Sequence, residues 1–406
     1  MRISVSKCDQ NVLVRIYTCG FAVVLMACTF CGGVGANTLD SIYYQDRFRL
    51  YRVHEPTGYK GTDIHAVVMV LHGGTGSAES AINFSQMDRV ADTAGFLAVF
   101  PQGYAEARGG YAWADGRQGV ADQMGIDDVG FIAALIDTLD ERRAIDVNRI
   151  YVSGVSNGGF MTQRLACELG DRIAAAAPVC ATMDVDYFAG CLPVRPVPVM
   201  MVMGTEDPFV PYEGGRMSSS GRDIVSVDTM ISFWVQNNNC LAGPDSLQYP
   251  NTVTDDNSTV MRYTQGACDC DAKVVLYKVI GGGHTWPGVE NPSYERIAGE
   301  TNEDIHASEE IWNFCRQHTR TCNTTAAYPV AGAHRRYTGN GMRPGTRMPL
   351  SASRTYLYSL SGAVLPQGAV PTERSHSGHI AAGLYVRSRP GDKSVRSVYP
   401  ILPNGR

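Results

Sequence analysis

From about residue 40 to residue 320 the chain alternates continuous apolar runs with stretches of helical spacing. "FRLYRVHEP" reads as an early strand and "HAVVMVLHGG" as a fully buried one that ends in glycines. "GFLAVFPQG", "RIYVSGVS", "VPVMMVMGTED" and "KVVLYKVIGGGH" continue the series. Runs of this kind, unbroken by polar residues and rich in Val and Met, suit a parallel sheet covered on both faces. Between them, "SAINFSQMDRVADTAG", "DDVGFIAALIDTLDERR", "NGGFMTQRLACELG" and "DTMISFWVQNN" carry apolar residues at helical spacing, and "EDIHASEEIWNFCRQH" closes the series. The repetition predicts one doubly wound α/β domain, a mostly parallel central sheet with helices on both faces. No internal repeat is visible.

In open α/β sheets, ligands bind beyond the carboxyl ends of the strands. The polar, conformationally special residues of this chain fall at those ends. "RIYVSG" runs into Ser156, and "NGGFMTQRLAC" then starts a helix. A nucleophile elbow requires this strand–turn–helix setting, with Gly154 and Gly158 leaving room for the tight turn. A serine capping a helix would explain Ser156 alone. Two further placements argue against that bland reading. "GTEDPFVPY" puts Asp207 at a later strand end, and "GGGHTWPG" puts His284 on a glycine loop later still. The order Ser, Asp, His is that of α/β-hydrolases, not of the chymotrypsin or subtilisin types. His284 would take the serine proton, and Asp207 would hold its tautomer and steady the imidazolium.

"LHGGTGS" supplies the remaining part. A strand ending in His-Gly-Gly lets backbone N–H groups approach a reacting carbonyl, because glycine removes the side-chain obstruction. Gly74 is expected to be one oxyanion donor, with Thr75 its nearest competitor, and the N–H of Asn157 the other. A phosphate-binding loop would need G-x-G-x-x-G or a Gly-Lys-Ser/Thr pattern, and neither is present in that stretch. Asp127 and Asp128 are rival acids, but they precede the serine and open a helix, where acids serve capping. Trp113 and Trp286 are candidates to wall an acyl pocket, against the alternative of buried packing.

Charge and cysteine content bear on the ends of the chain. From Ala326 onward there are 11 Lys/Arg and 2 Asp/Glu, in a stretch rich in Ser, Gly and Pro without periodicity. It is expected to be a basic, mostly disordered tail over 326–406, outside a catalytic domain over 37–325. At the other end Arg2, Lys7 and Arg15 precede "FAVVLMACTFC", and Val34-Gly35-Ala36 is a small-residue cleavage pattern. This predicts export through a leader over 1–36; an uncleaved anchor, or lipid attachment at Cys28, stays open. Eight cysteines follow the leader, and an even count in an oxidising compartment suggests disulfides. Short loops suggest Cys180–Cys191 and Cys315–Cys322, with Cys240 reaching Cys268 or Cys270. Zinc at "CDC" is not expected, since no second Cys or His pair stands at ligand spacing nearby. The net charge of -5 does not by itself decide about nucleic acid. With this constellation the expected partner is an ester substrate, not nucleic acid.

At these residues the chain resembles the polyhydroxybutyrate depolymerase and feruloyl esterase family of secreted α/β-hydrolases. The resemblance is carried by "VVMVLHGGTGSA", "GFLAVFPQGY", "DDVGFIAALID", "RIYVSGVSNGGFMT", "GTEDPFVPY" and "GGGHTWPG", over roughly residues 45 to 318. It implies an α/β-hydrolase fold and ester hydrolysis through an acyl-enzyme without metal or cofactor. It also implies Ser156 as nucleophile, Asp207 as acid, His284 as base, and the N–H groups of Gly74 and Asn157 as oxyanion hole. No Thr/Ser-rich linker to a substrate-binding module is seen, so soluble feruloyl, acetyl or short hydroxyalkanoate esters are expected ahead of a crystalline polyester. A serine peptidase on the same fold, or a non-catalytic surface-anchored binding protein, are the alternatives.

Overall fold

In the computed structural model, residues 36–106 and 109–322 are described, and outside them only the backbone of short strand segments within 2–23 and 357–385. The expected leader over 1–36 and basic tail over 326–406 therefore fall outside the described residues, apart from those segments and Ala36.

Ten strands form one sheet: β1 Ala36–Tyr44, β2 Arg47–Glu55, β3 His65–Leu71, β4 Leu97–Pro101, β5 Ile145–Val155, β6 Ala175–Val179, β7 Val199–Gly204, β8 Ala242–Gln248, β9 Thr259–Gly266 and β10 Val274–Ile280. Their spatial order is β8-β9-β10-β7-β6-β5-β3-β4-β2-β1. The stretch from β10 to β4 is parallel throughout, and the pairs beyond it at both edges are antiparallel. This is the mostly parallel sheet that the sequence pattern predicts, with the α/β-hydrolase fold that the family resemblance implies.

The longer helices are α1 Ala78–Ser85, α2 Met87–Ala94, α3 Asp128–Arg142, α4 Asn157–Glu168, α5 Val227–Asn237, α6 Pro292–Ala298 and α7 Ala307–Cys315. They cover both faces because the central strands are apolar on both. In β3, Val67, Met69 and Leu71 join one core cluster with Phe131, Leu135, Leu165 and Trp234, residues of α3, α4 and α5. Ala66, Val68 and Val70 point the other way, into a second cluster with Ala81, Val90, Ile311 and Phe314 from α1, α2 and α7. Burying a Val or Met on such a strand is worth ~1.5–3 kcal/mol, and β3 buries six of its seven residues.

Three disulfides lie among the described residues: Cys167–Cys191, Cys240–Cys268 and Cys270–Cys322. The sequence expectation of Cys180–Cys191 and Cys315–Cys322 is corrected. Cys191 meets Cys167 on α4, Cys322 meets Cys270, and Cys180 and Cys315 stay as buried thiols. Cys240 takes Cys268, one of its two expected partners. With Cys268 and Cys270 both bridged, "CDC" has no free thiolate to offer a metal. Among the described residues, no helix is long and apolar enough to cross a membrane.

Candidate active site

The parallel strands deliver their carboxyl ends to one edge of the sheet, and β5 delivers Ser156. Its backbone lies at φ 56° and ψ -122°, a region costly for any residue with a Cβ. Packing enforces it. The Ser156 N–H donates to the Val179 carbonyl at 3.0 Å, and the Ser156 carbonyl accepts from the Phe160 N–H at 2.8 Å. Strand and helix approach so closely that a Cβ on Gly158 would stand 2.3 Å from the Leu71 carbonyl oxygen. One on Gly154 would stand 2.7 Å from the Gly158 carbonyl. Ser156 thus sits at the amino end of α4, where the helix dipole favours negative charge.

The loop after β3 runs beside this elbow. A Cβ on Gly73 would lie 3.6 Å from the Ser156 Cβ, and one on Gly74 would lie 3.7 Å from the Asn157 Cβ. Thr75 follows in the left-handed region at φ 59°. His72 braces the loop from beneath. Its Nδ1–H donates to the Gly73 carbonyl at 2.7 Å, and its Nε2 accepts the Gly103 N–H at 3.0 Å. Burial lowers the His72 pKa to about 4, so the ring is neutral, as an accepting Nε2 requires.

Asp207 follows β7 and His284 follows β10, strands that are neighbours in the sheet. His284 Nδ1–H donates to Asp207 Oδ2 at 2.7 Å, and both side chains are buried. The other carboxylate oxygen accepts the N–H groups of Phe209 and Val210, each at 2.8 Å, which fixes its plane. The Phe209 ring meets the imidazole edge-on, with centroids 5.2 Å apart. The Ser156 N–H donates to the Val179 carbonyl at the end of β6, the strand between β5 and β7, and Cys180, the residue after Val179, directs its thiol at the Thr285 carbonyl, 3.3 Å away.

The remaining sequence candidates have structural partners. Asp127 caps α3 through the Gly130 N–H at 2.8 Å and accepts the Tyr44 hydroxyl at 2.6 Å. Asp128 is buried against Arg49 at 2.5 Å and accepts the Ala114 N–H. Trp113 and Trp286 are 1% and 4% exposed, so both rings are packed in the interior and offer little surface to an acyl chain. The Trp113 indole N–H donates to the His72 carbonyl at 3.0 Å, and that of Trp286 to Ser308 at 3.2 Å.

One contribution was invisible in the sequence. The Asn157 side chain accepts the Trp113 N–H at 2.8 Å and donates to the Trp113 carbonyl at 3.2 Å and to Asp115 at 2.5 Å. It clamps the 113–115 loop to the elbow. An Asn directly after a candidate nucleophile draws attention to its backbone N–H; the long-range partners of its amide carry no sequence signal.

Residues 82–195 match the prolyl oligopeptidase family. NocK of Nocardia uniformis subsp. tsuyamanensis, an esterase by its name, is 29% identical over 296 residues, covering 68% of this chain and 82% of that protein. Feruloyl esterase B of Piromyces equi is 31% identical over 234 residues, 56% of this chain and 41% of that protein. Poly(3-hydroxyalkanoate) depolymerase C of Paucimonas lemoignei is 29% identical over 146 residues, a third of each chain (33% of both). The chain thus spans most of the first relative and less than half of the other two. Among solved structures, an acetyl xylan esterase from Aspergillus awamori aligns over 61% of this chain and 94% of its own at 14% identity and a TM-score of 0.43.

Proposed function

We propose that this chain, a carboxylic ester hydrolase of the α/β-hydrolase esterases that include feruloyl esterases and polyhydroxyalkanoate depolymerases, cleaves its substrate by acylating Ser156. His284 Nε2 takes the Ser156 proton as Oγ attacks the carbonyl carbon, and Asp207 stabilises the imidazolium. The N–H groups of Gly74 and Asn157 receive the negative oxygen of the tetrahedral intermediate. His284 then returns the proton to the leaving alcohol, and water repeats the sequence on the acyl-enzyme. The hydrogen bond from serine to histidine in such sites commonly closes only with substrate bound.

The observation that carries this reading is the backbone of Ser156 at φ 56° and ψ -122°, strain at a sheet edge that also holds the Asp207–His284 pair. A serine merely capping a helix gains nothing from that conformation, and the Ser156 side chain makes no cap hydrogen bond to α4. The natural substrate is proposed to be a feruloyl or acetyl ester of polysaccharide, or a short hydroxyalkanoate oligomer. Export is proposed from the leader pattern together with the three disulfides.

A p-nitrophenyl acyl series extended to methyl ferulate and hydroxybutyrate oligomers tests the reading, combined with phosphonate labelling. Turnover with label on Ser156 is expected; label on another serine would refute the assignment. The prolyl oligopeptidase match favours one second reading, peptide hydrolysis on the same fold. Aminoacyl p-nitroanilides cleaved faster than every ester in the series would select it.

A further inference from the structure

Cys180 is one of two unbridged cysteines among the described residues, and the mechanism makes no use of it. It directly follows β6, in the left-handed region at φ 49°, with its thiol buried. Its sulfur, a carboxylate oxygen of Asp207 and a ring nitrogen of His284 lie within 4.8 Å of one another. Thiolate, imidazole and carboxylate are the donors that zinc-like cations take. Ligands bound at ~2.0–2.3 Å stand roughly 3.3–3.7 Å apart around a tetrahedral ion, so closing this cluster needs shifts of only about 1 Å.

We propose that Cys180, Asp207 and His284 form an inhibitory site for a thiophilic divalent cation of the zinc and cadmium class, which binds by dismantling the Asp–His pair. The proposal rests on the reading of that pair as the catalytic acid and base. As the sulfur–metal bond forms, the thiol proton leaves to solvent. His284 turns its Nδ1 from Asp207 to the cation, and the Nδ1 proton passes through solvent to Nε2. Nε2 then carries hydrogen and cannot accept the serine proton. No electron changes hands. The buried donors predict slow onset.

The test uses the full chain and cadmium alone. Cys180→Ser should keep its ester turnover while its sensitivity to cadmium falls at least ~10-fold, the scale on which even an outer partner of a metal ligand counts. Ser156→Ala, inactive under the catalytic reading, should still show the cadmium–thiolate absorption band, and Cys180→Ser should lack that increment. If Cys180→Ser does not fold, cadmium NMR of the unmutated chain decides. A mixed site with one sulfur is expected; an all-oxygen or multi-sulfur site overturns the proposal. Equal cadmium inhibition of the unmutated chain and Cys180→Ser overturns it as well. Full activity in Ser156→Ala would instead sink the catalytic reading and leave the binding result standing.

Discussion

Holding Ser156 at φ 56° and ψ -122° costs on the order of 1–3 kcal/mol, and the hydrogen bonds to Val179 and Phe160 sustain it. Ala keeps the Cβ and therefore the strain, whereas Gly relieves it. Ser156→Ala should lose nearly all esterase activity, with a residual ~1,000-fold rate over water from binding and the oxyanion hole. Ser156→Gly should be equally inactive yet no less stable than Ser156→Ala by urea denaturation. A Gly variant clearly less stable than the Ala variant would show that the conformation is not strained. The acids separate in the same way. Asp207→Asn should preserve the fold and reduce turnover by about 10⁴ through the wrong imidazole tautomer. Asp128→Asn leaves Arg49 buried without its charge partner and should cost stability, ~3–5 kcal/mol by the precedent of broken buried pairs, before it costs chemistry. Reversal of those two outcomes in a kinetics and denaturation series would mean that the acid is misassigned. At this scale the strand-end placements of Ser156, Asp207 and His284, from which their catalytic roles are proposed, were legible because each follows an apolar run. The neutral brace of His72 and the clamp of Asn157 were not, since Gly103 lies 31 residues from His72 and Trp113 lies 44 from Asn157.

Among the elements, the close approach of α4 to the ends of β3 and β5 makes glycine a packing requirement. A Cβ on Gly158 would meet the Leu71 and His72 carbonyl oxygens at 2.3 and 2.5 Å, contacts that backbone on both sides cannot relieve. Gly158→Ala should therefore destabilise by at least ~1–3 kcal/mol, the usual cost of overpacking, or fail to fold. Gly95, unlike Gly158, has positive φ, at 76°, but a Cβ there would meet nothing within 4 Å. Gly95→Ala should cost only about 1 kcal/mol of left-handed strain. Similar melting temperatures for the two variants would show that close approach is not what fixes Gly158. Six strands of the sheet were readable as apolar runs; the others lacked the cue. In β6, "AAAPV" is buried by its neighbours without large side chains of its own. Every residue of β8 is exposed, and its Pro244 is tolerable on an edge strand. The β1–β2 hairpin turns at Gln45 and Asp46, both at positive φ, without the Asn-Gly or Asp-Gly that would announce it. The predicted helix over "SAINFSQMDRVADTAG" is two, because Gln86 takes a left-handed conformation between α1 and α2.

Across the whole molecule, cysteine parity was legible and connectivity was not. Which thiols meet depends on how α4, the β8–β9 hairpin and the chain near Cys322 converge, and loop length does not encode that convergence. Thiol titration of the denatured, unreduced catalytic region should find Cys180 and Cys315 and no other cysteine downstream of the leader. Burial also sets how the fold responds to acid. His72 and His318 are each lowered to about 4, desolvation being the largest cause for both. In the unfolded chain a histidine titrates at about 6.5. Between those values the unfolded state binds protons that the native state refuses. Their stabilising contribution is thus complete above about pH 6.5 and is lost as pH falls through about 4. Asp122 and Asp128 oppose this, because burial raises their pKa values and lets the native state bind protons more readily. The total slope mixes both signs, and a substitution isolates one. His72→Gln keeps an acceptor for the Gly103 N–H but cannot titrate. It should flatten the dependence of unfolding free energy on pH, between about pH 6 and 4.5, by up to ~1.4 kcal/mol per pH unit, the weight of one proton. Urea denaturation at several pH values reads this slope directly. An unchanged slope would mean that His72 is protonated in the native protein, and that the loop carrying Gly73 and Gly74 is held by something other than a neutral ring.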